Sequence, residues 1–365
     1  KKSTAQLAAS ALRSLAPRER EAMLQLCSSS PLPGEEVDRL REASGGDAQL
    51  LQLLLAATLN GVGQPDGGSA VYATASRANH SCLPNAAFRV ERNGELCLVV
   101  IRELAVGDEV LVSYLREEDL LKPTHLRQKL LKNWGFTCCC ARCSGPDDLR
   151  TFLCRSCGSS GVRPLPGTQT SDGQGLCWSS CSTCGAAPPP AAALRDAEAS
   201  WLRRLGRSAS ARSELRATGQ IGTAFKELLS AQKSKDDLVV IPCLEGHWIA
   251  SQIANEAAEA LTWQGDYAGA AEAALWRWRC IKRSLAGALS RLAAEALAAR
   301  GAAAAIASKL GSEKGRDAGD PPALAAAARR RYAAALQEAQ PLLARDSKLL
   351  QQLQRKSRSL ELSET

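Results

Sequence analysis

Apolar residues recur at roughly helical spacing from Thr4 to about Asn60. They include Leu12, Leu15, Met23, Leu24, Leu40 and the stretch Leu50–Leu55, with Pro-Leu-Pro-Gly at 31–34 as a break. This predicts a run of short helices. Residues 61–69 form a Gly-rich loop, after which the period changes to two. Val71-Tyr72-Ala73 and Ala87-Phe88-Arg89-Val90 read as strands. Asn93-Gly94 then offers a type I′ hairpin turn, because both positions tolerate positive φ. Leu96 to Ile101 is the return strand, and Glu109 to Tyr114 supplies another after the turn at Gly107-Asp108. Several short strands in a row predict a compact β domain, not a βαβ sheet.

Residues 123–134 read as one helix ending at Gly135, and Pro188-Pro189-Pro190 is a natural boundary. Beyond it the chain is Ala- and Leu-rich and nearly all helical by propensity. His247, Trp248, Trp263 and Tyr267 read as helix core there, and Arg203, Arg204 and Arg207 as a solvated helix face. Residues 311–322 read as a flexible insertion between helices. Leu261, Gly265, Tyr267 and Ala270 recur loosely as Leu297, Gly301, Ala303 and Ile306, at an offset of 36 residues close to that of tetratricopeptide helix pairs.

A chain of 365 residues predicts two or three domains. Its formal charge of +8 permits an acidic partner without demanding one, and no apolar run is long enough to cross a bilayer. It begins Lys1-Lys2-Ser3 with no signal pattern, and reads as a fragment with something upstream. Nine of the fourteen cysteines lie between Cys138 and Cys184. That segment has little hydrophobic content and could hardly bury a core of its own. Dense CxxC pairs favour metal over disulfides and a reducing compartment, cytosol or nucleus.

Cys138-x-Cys140-x-x-Cys143 offers three thiolates in one tight turn, so a structural zinc there needs a fourth ligand from elsewhere. Cys139, squeezed between two of them, is left out. Cys154-x-x-Cys157 with Cys181-x-x-Cys184 is a second set, and Cys177-x-x-x-Cys181 is a competing bracket. Cys27, Cys97, Cys243 and Cys280 sit singly in apolar patterns and read as core.

Three further pieces complete the pattern: Asn79-His80-Ser81-Cys82-x-Pro84-Asn85; Gly107-Asp108-Glu109-Val110 leading to Ser113-Tyr114; and Phe136-x-Cys138-x-Cys140-x-x-Cys143. In this order and spacing they resemble the SET-domain lysine methyltransferases, within them the SET-and-MYND branch, strongly over 58–143 and weakly after 190. The resemblance implies an α+β fold: a SET-type β domain with a helical insert, a zinc-binding post-SET segment, and an all-α tetratricopeptide-like C-terminal domain. The divisions expected are 1–60 for the insert, 61–136 for the SET core, 137–187 for the cysteine-rich segment and 188–365 for the helical domain.

The resemblance also implies S-adenosylmethionine and zinc as cofactors. Asn60, Ser76, Ala78, Asn79 and His80 would contact S-adenosylmethionine, Asn79 and His80 partly through their backbones, and Phe136 would stack on its adenine. Tyr114 would orient the lysine amine and the methyl group. Cys82 would be the fourth ligand beside Cys138, Cys140 and Cys143. Two departures from the family pattern stand out: Val62 occupies a place where an aromatic is usual, and the N-terminal glycine-containing strand and the MYND cysteines are absent.

The activity implied is methyl transfer to a lysine of a histone or other protein, in cytoplasm or nucleus. A protein partner is expected on the C-terminal helices, with no membrane, no nucleic acid and a monomeric state. The alternative is an inactive zinc-stabilised interaction scaffold.

Overall fold

The computed structural model describes residues 3–26, 32–165, 177–206, 214, 218–233, 242–314, 321–344 and 347–361. The expectations for Cys27, for Arg207 and for part of the break at 31–34 lie outside them. The chain divides into two compact units, 1–115 with 128–138, and 116–127 with 139–365.

The first unit opens with α1 (Thr4–Arg13), α2 (Pro17–Leu24), α3 (Gly34–Ser44) and α4 (Ala48–Asn60). A capping box between Ser3 and Gln6 starts α1, and the Asp47 carboxylate accepts the Leu50 N–H to start α4. On α4, Leu50, Leu53 and Leu54 share one face and pack with Ala9, Leu12, Met23 and Leu40 in a dry core.

From α4 the chain runs directly into β1 (Gly61–Gly63), antiparallel to β2 (Ser69–Val71). A Cβ on Gly61 would lie 2.5 Å from Ser69 Oγ and 2.7 Å from the Ala57 carbonyl, so only glycine fits this corner. The strand expected at 71–73 thus ends at Val71. Tyr72 leaves the ladder, and its hydroxyl donates to the Gly94 carbonyl.

β4 (Ala86–Val90) and β5 (Leu96–Val100) form the expected hairpin, but its turn differs. Gly94 has φ +79° while Asn93 is not among the positive-φ residues. Gly94 N–H bonds to Glu91 O, and Glu91 N–H to Glu95 O. This is a three-residue loop closed by a left-handed glycine, not a type I′ turn.

β3 (Asn79–His80) pairs in parallel with β6 (Leu111–Val112). The strand expected over 109–114 shrinks to two residues because the Asn85 amide stands in for a neighbour, taking the Leu111 N–H and donating to Glu109 O. The ladders among the described residues are two-stranded and separate, so the β part is a set of ribbons.

The second unit contains α5 (Glu117–Leu120), α7 (Ala141–Ser144) and β7 (Arg150–Phe152), with α6 (Thr124–Leu131) spanning the division. A 3-10 turn and Gly135 at φ +77° close the helix expected at 123–134. Phe152, Cys154, Val162, Trp178, Cys181 and Leu194 form one small core. The cysteine-rich segment therefore does bury apolar surface, with help from α8 (Ala191–Leu205).

Then come α9 (Gln220–Lys233), β8 (Pro242–His247), α10 (Trp248–Trp263), α11 (Tyr267–Ser284), α12 (Arg291–Lys314), α13 (Pro321–Ala339) and α14 (Lys348–Glu361). From α10 onward each helix packs on the next. The tail is not entirely helical, since β8 pairs antiparallel with β7.

The 36-residue match has no structural counterpart. Leu261 to Ala270 spans a helix, a turn and a helix, whereas Leu297 to Ile306 lies within α12. Helix continues to Lys314 and resumes at Pro321, narrowing the expected 311–322 insertion. His247 is buried but caps α10 from the end of β8, while Trp263 is 80% exposed and Trp248 and Tyr267 are half-buried. Cys243 and Cys280 are core, and Cys97 is only half-buried.

Candidate active site and metal centres

The loop 79–85 is built by hydrogen bonds that short polar side chains can make only in this order. Ser81 Oγ accepts the Leu83 N–H two residues on, turning the chain ahead of Pro84. Ser81 N–H donates to Val112 O, and Asn85 N–H to Leu111 O, so both ends of the loop are sewn to β6. The Asn79 amide donates to Glu109 Oε1 at 2.7 Å.

Tyr114 lies two residues beyond β6. Its backbone N–H donates to His80 Nδ1 at 2.9 Å, which leaves the imidazole proton on Nε2, 3.3 Å from Cys82 Sγ. Its hydroxyl donates to the Ala78 carbonyl at 2.9 Å. Around it the rings gather: His80 at 5.3 Å, Trp134 at 5.9 Å, and Phe136 edge-on at 6.2 Å, with His80 and Phe136 5.8 Å apart. Such tilted packing is the arrangement aromatic rings prefer. Ser76 follows from the turn after β2, and its buried hydroxyl has no hydrogen-bond partner among the described residues. Asn60 ends α4, its amide turned back onto Ala56 O.

Cys82, Cys138, Cys140 and Cys143 bring four sulfur atoms within 4.8 Å of one another and could hold a zinc ion. Gln128 holds Cys138 at two points, donating to its carbonyl and accepting its N–H. The fully buried Arg127 reaches Cys143 Sγ at 3.6 Å, a cation beside a prospective thiolate.

Cys154, Cys157, Cys181 and Cys184 form a second such group. Two Cys-x-x-Cys-Gly turns build it, and they match bond for bond. Cys154 N–H donates to Ser159 O and Gly158 N–H to Cys154 O; Cys181 N–H donates to Ala186 O and Gly185 N–H to Cys181 O. Gly158 and Gly185 have φ of +70° and +74°. Two sulfur pairs stand 3.6 and 3.7 Å apart. Tetrahedral zinc with Zn–S near 2.3 Å requires about 3.8 Å between sulfurs.

Protonation in this group is uneven. Burial opposes ionisation of Cys181, yet the Ser159 hydroxyl and the N–H groups of Cys184 and Thr183 outweigh it and bring the thiol down to about 5. At Cys184 the Ala186 N–H favours the thiolate, but the adjoining Cys157 and burial push it up to about 12. Four thiols this close cannot all ionise without a cation between them. Cys177, the competing ligand, is exposed and outside the group, as is Cys139.

Gly161 sits against this centre: a Cβ there would lie 2.6 Å from Cys181 Sγ and 3.1 Å from Ser182 N. Gly161→Ala is expected to weaken metal binding at this centre by about tenfold to a hundredfold, the usual effect of disturbing a ligand's support. Competition with a chromophoric chelator would show it, and unchanged affinity would argue that the sulfurs are not ligands.

The structure brings Ala78, His80, Tyr114 and Phe136 together directly, with Asn79 adjoining through β3. Glu109 was read only as part of the Gly107-Asp108-Glu109-Val110 motif, without a partner, and Trp134, Gln128 and Arg127 were not singled out from sequence. Trp134, an aromatic two residues before Phe136, carried a readable signal; Gln128 and Arg127 on an amphipathic helix did not.

Comparison with known proteins agrees with this geometry. Residues 17–115 match the family model described as the SET domain. Similar stretches occur in histone-lysine N-methyltransferase ATXR2 of Arabidopsis thaliana (40% identical over 79 residues), in protein-lysine N-trimethyltransferase SMYD5 of Gallus gallus (36% over 83), and in N-lysine methyltransferase SMYD2-A of Xenopus laevis (39% over 79). They cover 21%, 22% and 21% of this chain, and 16%, 20% and 17% of those relatives. The chain thus carries a SET domain similar to those of the SMYD type, and the matched stretch spans about a fifth or less of the relatives' length.

Proposed function

We propose that this protein is a protein-lysine N-methyltransferase that takes its methyl group from S-adenosylmethionine. The observation that carries the proposal is the joint anchoring of Tyr114, by its N–H on His80 and its hydroxyl on Ala78, inside a ring cluster.

The residues present fit the cofactor. Ser76 offers a buried hydroxyl still lacking a partner, Phe136 an aromatic face, and Ala78, Asn79 and His80 a short extended segment alongside. The Asn79 amide is engaged by Glu109, so its contribution comes through the backbone. Asn60 completes the proposed set from the end of α4. When bound, S-adenosylmethionine supplies a methyl group on a cationic sulfonium.

The chain's own groups prepare the acceptor. The half-buried rings offer an incoming lysine an apolar lining, which disfavours its charged form. The Tyr114 hydroxyl donates its hydrogen bond to the Ala78 carbonyl, so its oxygen would meet the amine as an acceptor and orient it.

The zinc centre of Cys82, Cys138, Cys140 and Cys143 would fix the segment carrying Phe136, and that of Cys154, Cys157, Cys181 and Cys184 is structural. The division into insert (1–60), SET core (61–136), cysteine-rich segment (137–187) and helical tail (188–365) belongs to this reading. So does a tetratricopeptide-like role for the tail, supported by its helices packing in chain order. No helix among the described residues is long and apolar enough to cross a membrane. A substrate protein in cytoplasm or nucleus is the partner proposed.

Calorimetry with S-adenosylmethionine and transfer of labelled methyl to a lysine peptide test the proposal. Tyr114→Phe is expected to reduce turnover by about 10²–10³-fold with cofactor affinity little changed, since a single oriented polar group at a reacting centre has that effect. Unimpaired turnover would remove Tyr114 from its role. No cofactor binding would favour a scaffold.

A further inference from the structure

In the second unit, α12, α13 and α14 enclose a groove of about 500 Å³, within the range of small-molecule sites. Its floor is made of small and aliphatic residues, among them Ala298, Ala302 and Leu353, and its rim carries Arg355 and Lys356. Tyr332 lines it as well. That residue is only 4% exposed, and its hydroxyl has no hydrogen-bond partner among the described residues. The ring lies against Gly301, where a Cβ would come within 3.2 Å of it, so glycine makes room for the tyrosine. A hydroxyl that opens onto the groove can donate to a ligand bound there.

The charge around the groove has one sign. Its lining includes no carboxylate. Both rim cations are exposed, and neither makes an ion pair among the described residues. α14 carries Lys348, Arg355, Lys356 and Arg358 against Glu361 alone, and α13 adds Arg329, Arg330 and Arg331 against Glu338, which pairs with Lys282. Arg329 donates to the Leu360 carbonyl and so ties the end of α14 to α13. Apart from Gln352 and the Tyr332 hydroxyl the lining between the rim cations is alanine and leucine, which suits an alkyl chain better than a peptide backbone. A basic rim then selects an anionic head.

We propose that this groove binds a free long-chain aliphatic carboxylate, its alkyl chain on the alanine floor and its head group between the Tyr332 hydroxyl and the Arg355 and Lys356 cations. This site is independent of the methyltransferase reading.

The test is calorimetric titration of the whole protein with sodium dodecanoate below its micelle concentration, beside dodecyltrimethylammonium of equal chain length and opposite charge. One saturable site for dodecanoate is expected, with no comparable binding of the cation. The double variant Arg355→Gln, Lys356→Gln should weaken binding by about tenfold or more, as loss of charge-assisted bonds does. Tyr332→Phe should weaken it by about threefold to tenfold. Ala302→Leu should abolish it by filling the floor, with circular dichroism melting to confirm the fold. If Ala302→Leu does not fold, the exposed-rim variant and Tyr332→Phe still decide. Equal binding of both surfactants, dodecanoate binding indifferent to the rim charges, or a saturable site for an acidic helical peptide but not for dodecanoate would each overturn the assignment.

Discussion

Glu198→Ala is expected to lower the unfolding free energy of the C-terminal unit by about 3–5 kcal/mol, the usual consequence of removing one partner from a buried ion pair. Glu198 lies on α8 and is nearly buried, receiving Arg150 Nε at 3.1 Å and Nη2 at 2.5 Å. Trp248 donates its indole N–H to the same carboxylate at 3.0 Å, and His247 Nε2 stands 3.7 Å away. Arg150, 4% exposed, also lies over the Trp178 ring. One carboxylate therefore ties β7, β8 and the start of α10 to α8.

Burial opposes the charge on Glu198, yet His247 where acid protonates it, Arg150 and the Trp248 N–H more than compensate and hold it below the ordinary carboxylate range. In the variant, Arg150 keeps its charge and its burial but loses its counterion. The double variant Arg150→Met, Glu198→Leu should recover much of the loss, because no charge is then stranded. Urea unfolding of the single and double variants measures this. Equal destabilisation by both would mean the site's shape matters and its charge does not.

The same cluster sets a pH dependence. Burial, reinforced by Arg150, lowers His247 to about 4, against the partial opposition of Glu198 and Asp147. At pH 7 the imidazole is neutral, and Arg150 alone supplies the positive charge facing Glu198. As pH falls from about 6.5 toward 4, the unfolded chain takes up a proton at this histidine that the folded chain refuses. Stability is thus full above about pH 6.5 and is lost by roughly 3 kcal/mol on the way down to 4. His125, lowered chiefly by burial, and Glu198, with its depressed value, both act in the same direction. His247→Gln should flatten the upper part of that slope in urea midpoints measured between pH 4 and 7.

Local patterns were legible because they are decided locally. The four N-terminal helices follow from the spacing of Leu12, Leu40 and Leu50–Leu55; ligand spacing gives all four cysteines of one group and three of the other, whose fourth, Cys82, came from the family resemblance. What escaped depends on distant partners. Nothing in Pro242–His247 announces a strand; its partner Arg150–Phe152 lies some ninety residues earlier. Asn93-Gly94 permits the type I′ turn, but the register Val90–Leu96 leaves an odd residue, so the glycine takes the bulge. Trp263 reads as core by type and sits 80% exposed because α10 ends there. At the candidate site the clustered rings were visible as separate motifs. The Gln128 clamp on Cys138 was not, since an amide on a helix looks the same whether it faces water or a backbone.

Removing metal should undo the cysteine-rich segment, because its core and its ligands are the same residues. Cys154 and Cys181 belong to the small cluster with Phe152, Val162, Trp178 and Leu194. Beyond them the segment has few apolar side chains, too few for independent stability. Apparent zinc affinities in comparable small sites amount to about 10–16 kcal/mol at neutral pH, and that binding energy is folding energy. The as-purified protein is therefore expected to carry two zinc ions per chain by mass spectrometry. Cys181→Ser should carry one, since it breaks only the group built from the two matching turns.

Chelation should open the segment to trypsin after Arg155, which lies inside the first of the two turns, between Cys154 and Cys157. Cleavage there reports the loss of that turn, whose Gly158 N–H bond to Cys154 O closes it in the folded segment. Cleavage there should appear in Cys181→Ser without chelator and be reversed in the parent protein by added zinc. Resistance of the metal-free protein at Arg155 would mean that the apolar cluster holds the turns unaided, and the second centre would lose its structural role.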